Sequence, residues 1–162
     1  MDKDRLVLEE LAMRLPFGIN CMVLDWDDEA EEEVEVASRL YEINSDGYCR
    51  FIDIDYQYNV DNVTPLLRYV ENLSKEELKD AAETCLGGVI IEDMNGNLVS
   101  VHYDPNYGEV QTEFDMEYFR NGLYGPKNIK WLLQHHVDFN NMINEGYARL
   151  VVEENSPYKK ED

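Results

Sequence analysis

Apolar residues recur at Leu6, Leu8, Leu11, Ala12 and Leu15. That spacing predicts one face of a helix over residues 3–14, stopped by Pro16-Phe17-Gly18. The texture then changes to strand. INCMVLDW (19–26) and VEVASRLYEI (34–43) are β-rich runs joined by the acidic connection DDEAEEE. After an NSDG turn, YCRFIDID (48–55) predicts a third strand with Tyr48, Arg50, Ile52 and Ile54 on one face. Successive strands with short connections form a meander, paired antiparallel. Further along, Pro65 stands where the first turn of a helix tolerates proline. Ser74 and Glu77 make a capping box that opens a helix over 75–85, closed by Gly87-Gly88. VIIEDMNGNLVSVHY is a pair of strands around the hairpin dipeptide Asn95-Gly96. PNYG reads as a loop, EFDMEYFRNG as a helix closed by Gly122, and Pro126 opens another helix through WLLQHH. The architecture predicted is α+β: an antiparallel sheet, meander plus Asn-Gly hairpin, with helices packed on it. It reads as one domain over 1–155 with a flexible tail at 156–162.

The most chemical-looking stretch is His135-His136-Val137-Asp138. Neighbouring residues on a helix point about 100° apart, so the two histidines do not converge on one ion from a regular helix. A zincin motif needs a second His four positions on, with Glu between; here position 139 is Phe and 140 is Asn. The stretch reads better as a joint. One histidine sits in the last turn of a helix, where its ring meets free carbonyls. Asp138 is the N-cap of a second helix, FNNMINEG, with Gly146 at its C′ position.

Three segments carry a resemblance. IKWLLQHHVDFNNMINEGYA, ELAMRLPFGI and VTPLLRYVENLSKEELKD are similar to blocks of an uncharacterised family of small acidic proteins. That family is encoded by Bacteroidetes and their phages and mobile elements. Its pattern is Leu-Pro-aromatic-Gly, then Pro-x-Leu-Arg, then Trp-Leu running into His-His-x-Asp. The chain departs from it at Tyr69, where the family usually has proline, and at VENL, where it prefers a small turn. The resemblance implies a cytoplasmic protein in a phage or mobile-element setting, and assigns no catalytic residue.

Charge narrows the partners. The chain has 14 Lys and Arg against 35 Asp and Glu, a net charge of −21. Such a surface repels nucleic acid and anionic membranes and suits a basic partner. No run approaches the ~20 apolar residues of a membrane span. Cys21, Cys49 and Cys85 are scattered, which predicts reduced thiols and neither a disulfide framework nor a zinc site. Eight acids crowd Asp25–Glu35: Asp25, Asp27, Asp28, Glu29, Glu31, Glu32, Glu33 and Glu35. No Lys or Arg lies between Arg14 and Arg39, nor between Lys79 and Arg120. The run lacks the alternation and central Gly of an EF-hand. Eleven tyrosines are spread along the chain, and Tyr56 and Tyr58 fall near strand ends, where aromatics serve interfaces.

These features predict a non-enzymatic acidic binding protein without a cofactor or a metal. It engages a basic protein surface, or its own copies, through the acidic run together with Tyr56 and Tyr58. Two alternatives stand beside it. One is a sponge for a nucleotide signal in phage counter-defence, which needs a buried arginine such as Arg68 or Arg50. The other is a metal-dependent hydrolase using His102, His135 or His136 with Asp53 or Asp55.

Overall fold

The structure, a computed structural model, describes residues 2–152 and 156–158. Helix α1 (Lys3–Arg14) starts at Asp2, whose carboxylate accepts from the Asp4 amide. Its buried face is not the predicted leucine stripe. Val7, Glu10, Leu11 and Arg14 point inward, Leu6 and Leu8 are half-buried, and Ala12 is exposed. The reason is the i,i+4 pair. Arg14 donates Nε to Glu10 Oε1 at 2.7 Å, and a second guanidinium nitrogen lies 2.6 Å from the same oxygen. The other carboxylate oxygen accepts from Asn140 at 2.7 Å. Paired this way, the two charges are buried as one neutral body, which an unpaired charge could not be.

Strands β1 (Asn20–Asp27) and β2 (Glu32–Ile43) form a long hairpin. It is followed by β3 (Tyr48–Phe51), β4 (Gln57–Asn59), β5 (Thr64–Leu67) and, much later, β9 (Arg149–Leu150). Their order in the sheet is β4-β3-β2-β1-β5-β9, antiparallel except for the β5–β9 pair. Two predictions fail here. The third strand ends at Phe51, and its buried residues are Cys49 and Phe51, opposite to the predicted face. Residues 52 and 53 form a turn in which Asp53 has φ 65°, so Asp53 and Asp55 do not share a strand face. Pro65 begins no helix. It stands near the start of β5, opposite Cys21, in a run where Pro65, Leu66 and Leu67 are all buried. A strand covered on both faces shows no alternation, and proline is tolerated near a strand start.

These elements, with the described residues from Asn140 onward, make one compact unit; Val70–Phe139 make a second. The first unit's core comprises Val7, Leu11, Ile19, Cys21, Val23, Leu40, Cys49, Phe51, Val63 and Leu67, joined by Met142 and Ala148. Ser156–Tyr158, assigned in advance to a loose tail, is instead anchored to it. The Tyr158 hydroxyl accepts from the Asn20 amide at 2.9 Å and donates to the Leu66 carbonyl at 2.9 Å. Burial pushes this phenol well above the ordinary tyrosine range. Residues 159–162, the rest of that predicted tail, lie outside the described residues. Tyr158→Phe is expected to cost ~1–3 kcal/mol in chemical denaturation, because the Asn20 amide loses its acceptor. No change in the midpoint would show that the tail is not anchored.

The second unit opens with the predicted capping box. Ser74 Oγ accepts from the Glu77 amide at 3.1 Å, while Glu77 accepts from the Ser74 amide at 2.7 Å, at the start of α2 (Lys75–Leu86). A three-stranded antiparallel sheet follows: β6 (Val89–Glu92), β7 (Leu98–Asp104) and β8 (Gly108–Glu113). The Asn95-Gly96 hairpin is as predicted, but β8 was not predicted. PNYG is the second hairpin turn, held by Asp104 Oδ1 accepting from Asn106 and Tyr107. Gly88 lies against β7 with φ 72°, and a Cβ there would come within 2.7 Å of the Val101 carbonyl oxygen. Helices α3 (Met116–Arg120) and α4 (Pro126–Gln134) complete the unit. The core joins Ala81, Ala82, Phe114, Phe119, Trp131, Leu132 and Val137. The fold class is therefore α+β, with helices and mostly antiparallel sheets. No helix among the described residues is long and apolar enough to cross a membrane.

Candidate functional site: the acidic hairpin and its groove

The His-His stretch is a helix stop. His135 caps α4; its Nδ1 donates to the Trp131 carbonyl at 2.9 Å, and its ring stacks on Trp131 with centroids 3.7 Å apart. His136 then takes a left-handed φ of 56°. Its amide donates to Leu133 and that of Val137 donates to Leu132, the two bonds of a Schellman motif. A histidine thus fills the position that glycine usually holds. The second helix is absent. Only one turn forms, from Asn141 (φ 59°), and Gly146 closes it in the same way, through Gly146→Ile143 and Tyr147→Met142 bonds. Asp138 is buried and stands three residues before this turn. His102 is exposed on β7. Among the described residues, no three His, Cys, Asp or Glu side chains gather as a metal-ligand set.

The acidic run is more ordered than a solvated connection. Asp27 Oδ1 accepts from the Glu29 and Ala30 amides and so fixes a tight turn, in which Glu31 has φ 55°. Pairing resumes at once, with Asp27 opposite Glu32, Trp26 opposite Glu33, Asp25 opposite Val34 and Leu24 opposite Glu35. β5 pairs with β1 only at Cys21 and Met22, and β3 pairs with β2 only from Leu40 onward. The last four rungs, roughly 14 Å at ~3.4 Å per residue, therefore form a two-stranded arm. Directly opposed residues share a face. One face of the arm thus carries Leu24 and Trp26, 50% and 52% exposed, beside Glu33 and Glu35.

A groove of about 450 Å³ adjoins this face, lined by Met22, Val23, Leu24, Tyr58, Thr64 and the acids Glu33, Glu35 and Asp61 among others. β4 and β1 are three places apart in the sheet, yet the Tyr58 hydroxyl donates to the Leu24 carbonyl at 2.7 Å. The sheet must curl to allow this, and the curl makes the groove. Burial, then the charge of Asp25 and the neighbouring Tyr56 and Glu33, push the Tyr58 phenol above its ordinary range.

Of the residues singled out in advance, Glu33, Glu35 and Tyr58 meet at the groove, with Asp25 close by. Asp28, Glu29, Glu31 and Glu32 are exposed at the arm's end. Tyr56 is 63% exposed. Two of these residues already have partners within the chain. The Tyr58 hydroxyl is committed to Leu24. Glu35 is gripped from within the chain: Arg149 donates two bonds to its two oxygens, each 2.8 Å long. Leu24, Trp26, Asp61 and Arg149 were missed. The alternation of Leu24 and Trp26 against Glu33 and Glu35 was visible in the sequence; the Arg149 contact, 114 residues away, was not.

The Arg149 fork, first by hydrogen bonding and then by charge, holds the Glu35 carboxyl below its ordinary range. A depressed carboxylate contributes its stabilisation fully above the ordinary glutamate pKa and loses it as the pH falls through the depressed value. Side-chain NMR should therefore show Glu35 titrating below an ordinary glutamate, and Arg149→Ala should return it to that value. An unchanged titration in the variant would contradict the ion pair.

Comparison with family models, with curated proteins and with solved structures finds no match. The fold and the site thus define the class directly: an α+β protein with an acidic, aromatic β-arm.

Proposed function

We propose that this chain is a non-enzymatic acidic docking protein that occupies a basic surface of another protein. The observation that carries the reading is the hairpin register. It sets Trp26 beside Glu33 and Leu24 beside Glu35, on a stretch with which no third strand pairs. Carboxylates steer a basic partner in, and half-exposed apolar side chains next to them hold it. Trp26 also offers the best π-face for a partner's cation. Self-association through this arm would bring like charges together, which favours a foreign partner.

The sponge reading draws less support. Arg14, the buried arginine, is engaged by Glu10, and Arg50 is exposed with Glu42 at 3.5 Å. The groove's acids oppose an anionic nucleotide. A cytoplasmic phage or mobile-element setting, as the resemblance suggests, suits a protein that masks a host or phage surface.

The test uses a small, strongly basic protein as the probe. Trp26→Ala should raise its dissociation rate about tenfold or more, as truncation of an anchoring aromatic does. Its association rate should stay within about twofold. An unchanged dissociation rate would remove Trp26, and with it this face, from the contact.

A further inference from the structure

We propose that the groove beside the arm is a receptor for an arginine side chain of the basic partner, with Arg149 as its internal competitor. The inference rests on the docking reading and adds the identity of the recognised group. The groove has two chemistries in the right order for a long cationic side chain. Met22 and Leu24, on one face of β1, supply an apolar wall for a methylene stem, and Glu33, Glu35 and Asp61 supply carboxylates for its charged end. Its volume, about 450 Å³, lies within the ~300–1,000 Å³ usual for ligand sites. Lys and Arg bury their stems against apolar surface while the head stays polar, so the match is to a stem as well as to a charge.

Two points select arginine over lysine. Glu35 already presents both oxygens to a guanidinium, with 2.8 Å bonds from the two terminal nitrogens of Arg149. Only arginine has the planar fork that repeats this geometry, and it is less strongly hydrated than an ammonium. The Glu35–Arg149 pair is also about half exposed on both sides, 54% and 46%. Exposed pairs of this kind are weak, so a partner's arginine can take over Glu35 at small cost. Arg149 then swings away from the groove rim, and its strand, β9, spans only two residues.

The probe is a capped tetra-arginine peptide, compared with capped tetra-lysine, each titrated into the isotopically labelled full chain. Tetra-arginine should move the amide resonances of Met22, Leu24, Glu35, Tyr58 and Asp61, and should bind about fivefold tighter than tetra-lysine. Glu33→Gln and Asp61→Asn should each weaken tetra-arginine binding by a similar factor without changing the melting temperature, since both residues lie at the open rim. Arg149→Ala should tighten tetra-arginine binding more than tetra-lysine binding. Adding Glu35→Gln to Arg149→Ala should erase that gain, which separates release of Glu35 from simple removal of a positive charge. Equal affinities for the two peptides, or a gain that survives Glu35→Gln, would overturn the inference. If binding is lost only on neutralising the arm's end, with shifts confined to Asp27–Glu32, the groove falls and the docking reading stands. If neither peptide perturbs the arm or the groove, both fall.

Discussion

Glu10→Ala is expected to lower the unfolding free energy by ~3–5 kcal/mol, the usual cost of stranding one partner of a buried ion pair. Arg14 is fully buried and Glu10 nearly so, at 0% and 2% exposure. Without the carboxylate, the guanidinium must stay charged in a medium that solvates it poorly, or α1 must lift away from the sheet. Asn140 loses a 2.7 Å bond as well, which loosens the return of the chain into the first unit. Stability of a domain is only ~5–15 kcal/mol, so the loss is large. The double variant Glu10→Leu, Arg14→Met separates charge from shape. It should recover most of the loss and can exceed the wild type, because replacing a buried pair by apolar residues is often neutral or stabilising by ~1–4 kcal/mol. Urea denaturation followed by circular dichroism reads both effects. A Glu10→Ala protein as stable as the wild type would mean that the pair is not buried.

Trp131→Ala should cost a similar amount, ~3–5 kcal/mol, through the cavity it leaves. Trp131 is 2% exposed and packs edge-on against Phe119 at 5.4 Å. Its indole N–H donates to Asp80 at 2.7 Å, tying α4 to α2. His135 stacks on the same ring with centroids 3.7 Å apart, so His135→Ala should cost less, ~0.5–1.5 kcal/mol, the worth of an aromatic pair. That ratio distinguishes a structural stop from a catalytic histidine. Loss of the near-ultraviolet dichroism of the second unit in Trp131→Ala, with a small shift for His135→Ala, is the expected pattern. A His135→Ala protein that lost binding to a basic probe with its melting temperature unchanged would contradict the structural role.

The elements most legible in the sequence are those fixed by local chemistry. The capping box at Ser74 and Glu77, the Asn95-Gly96 turn and the strands flanking the acidic run lie close to their predicted places, because neighbouring residues decide them. Legibility fails where distant residues decide. The inward face of α1 cannot be read from leucines alone, since it is the Glu10–Arg14 pair that lets charged residues face the core. The TPLL strand is covered on both sides, so it shows no alternation, and Pro65 then reads as a helix start. β8 has Val110 as its one large apolar residue and looks like a loop. The His-His joint was legible as a joint but not in form: a left-handed histidine completes the helix stop, and the turn after it begins at Asn141. At the candidate site the acids were plain, and the hairpin predicted their exposure. The groove was not legible, because it depends on the sheet curling until Tyr58 reaches Leu24. Nor was the Arg149 fork.

The central claim is that the acidic arm, and not the protein's overall charge, brings a basic partner in. The direct measurement is the association rate with a strongly basic test protein as ionic strength rises from 0.01 to 0.15 M, where the Debye length falls from ~30 to ~8 Å. Three proteins are compared: the wild type, a variant with Asp27, Asp28, Glu29, Glu31, Glu32 and Glu33 changed to Asn or Gln, and a control with six exposed acids neutralised elsewhere. The control set is Asp46, Asp55, Glu76, Glu83, Glu109 and Glu113, all exposed, so both variants carry six fewer negative charges. Asp27→Asn keeps the Oδ1 acceptor that holds the turn, so the arm should stay folded. If the arm does the steering, its variant associates more slowly and with a flatter salt dependence, while the control stays close to the wild type. Equal loss of rate and equal salt slopes in the two variants would contradict it.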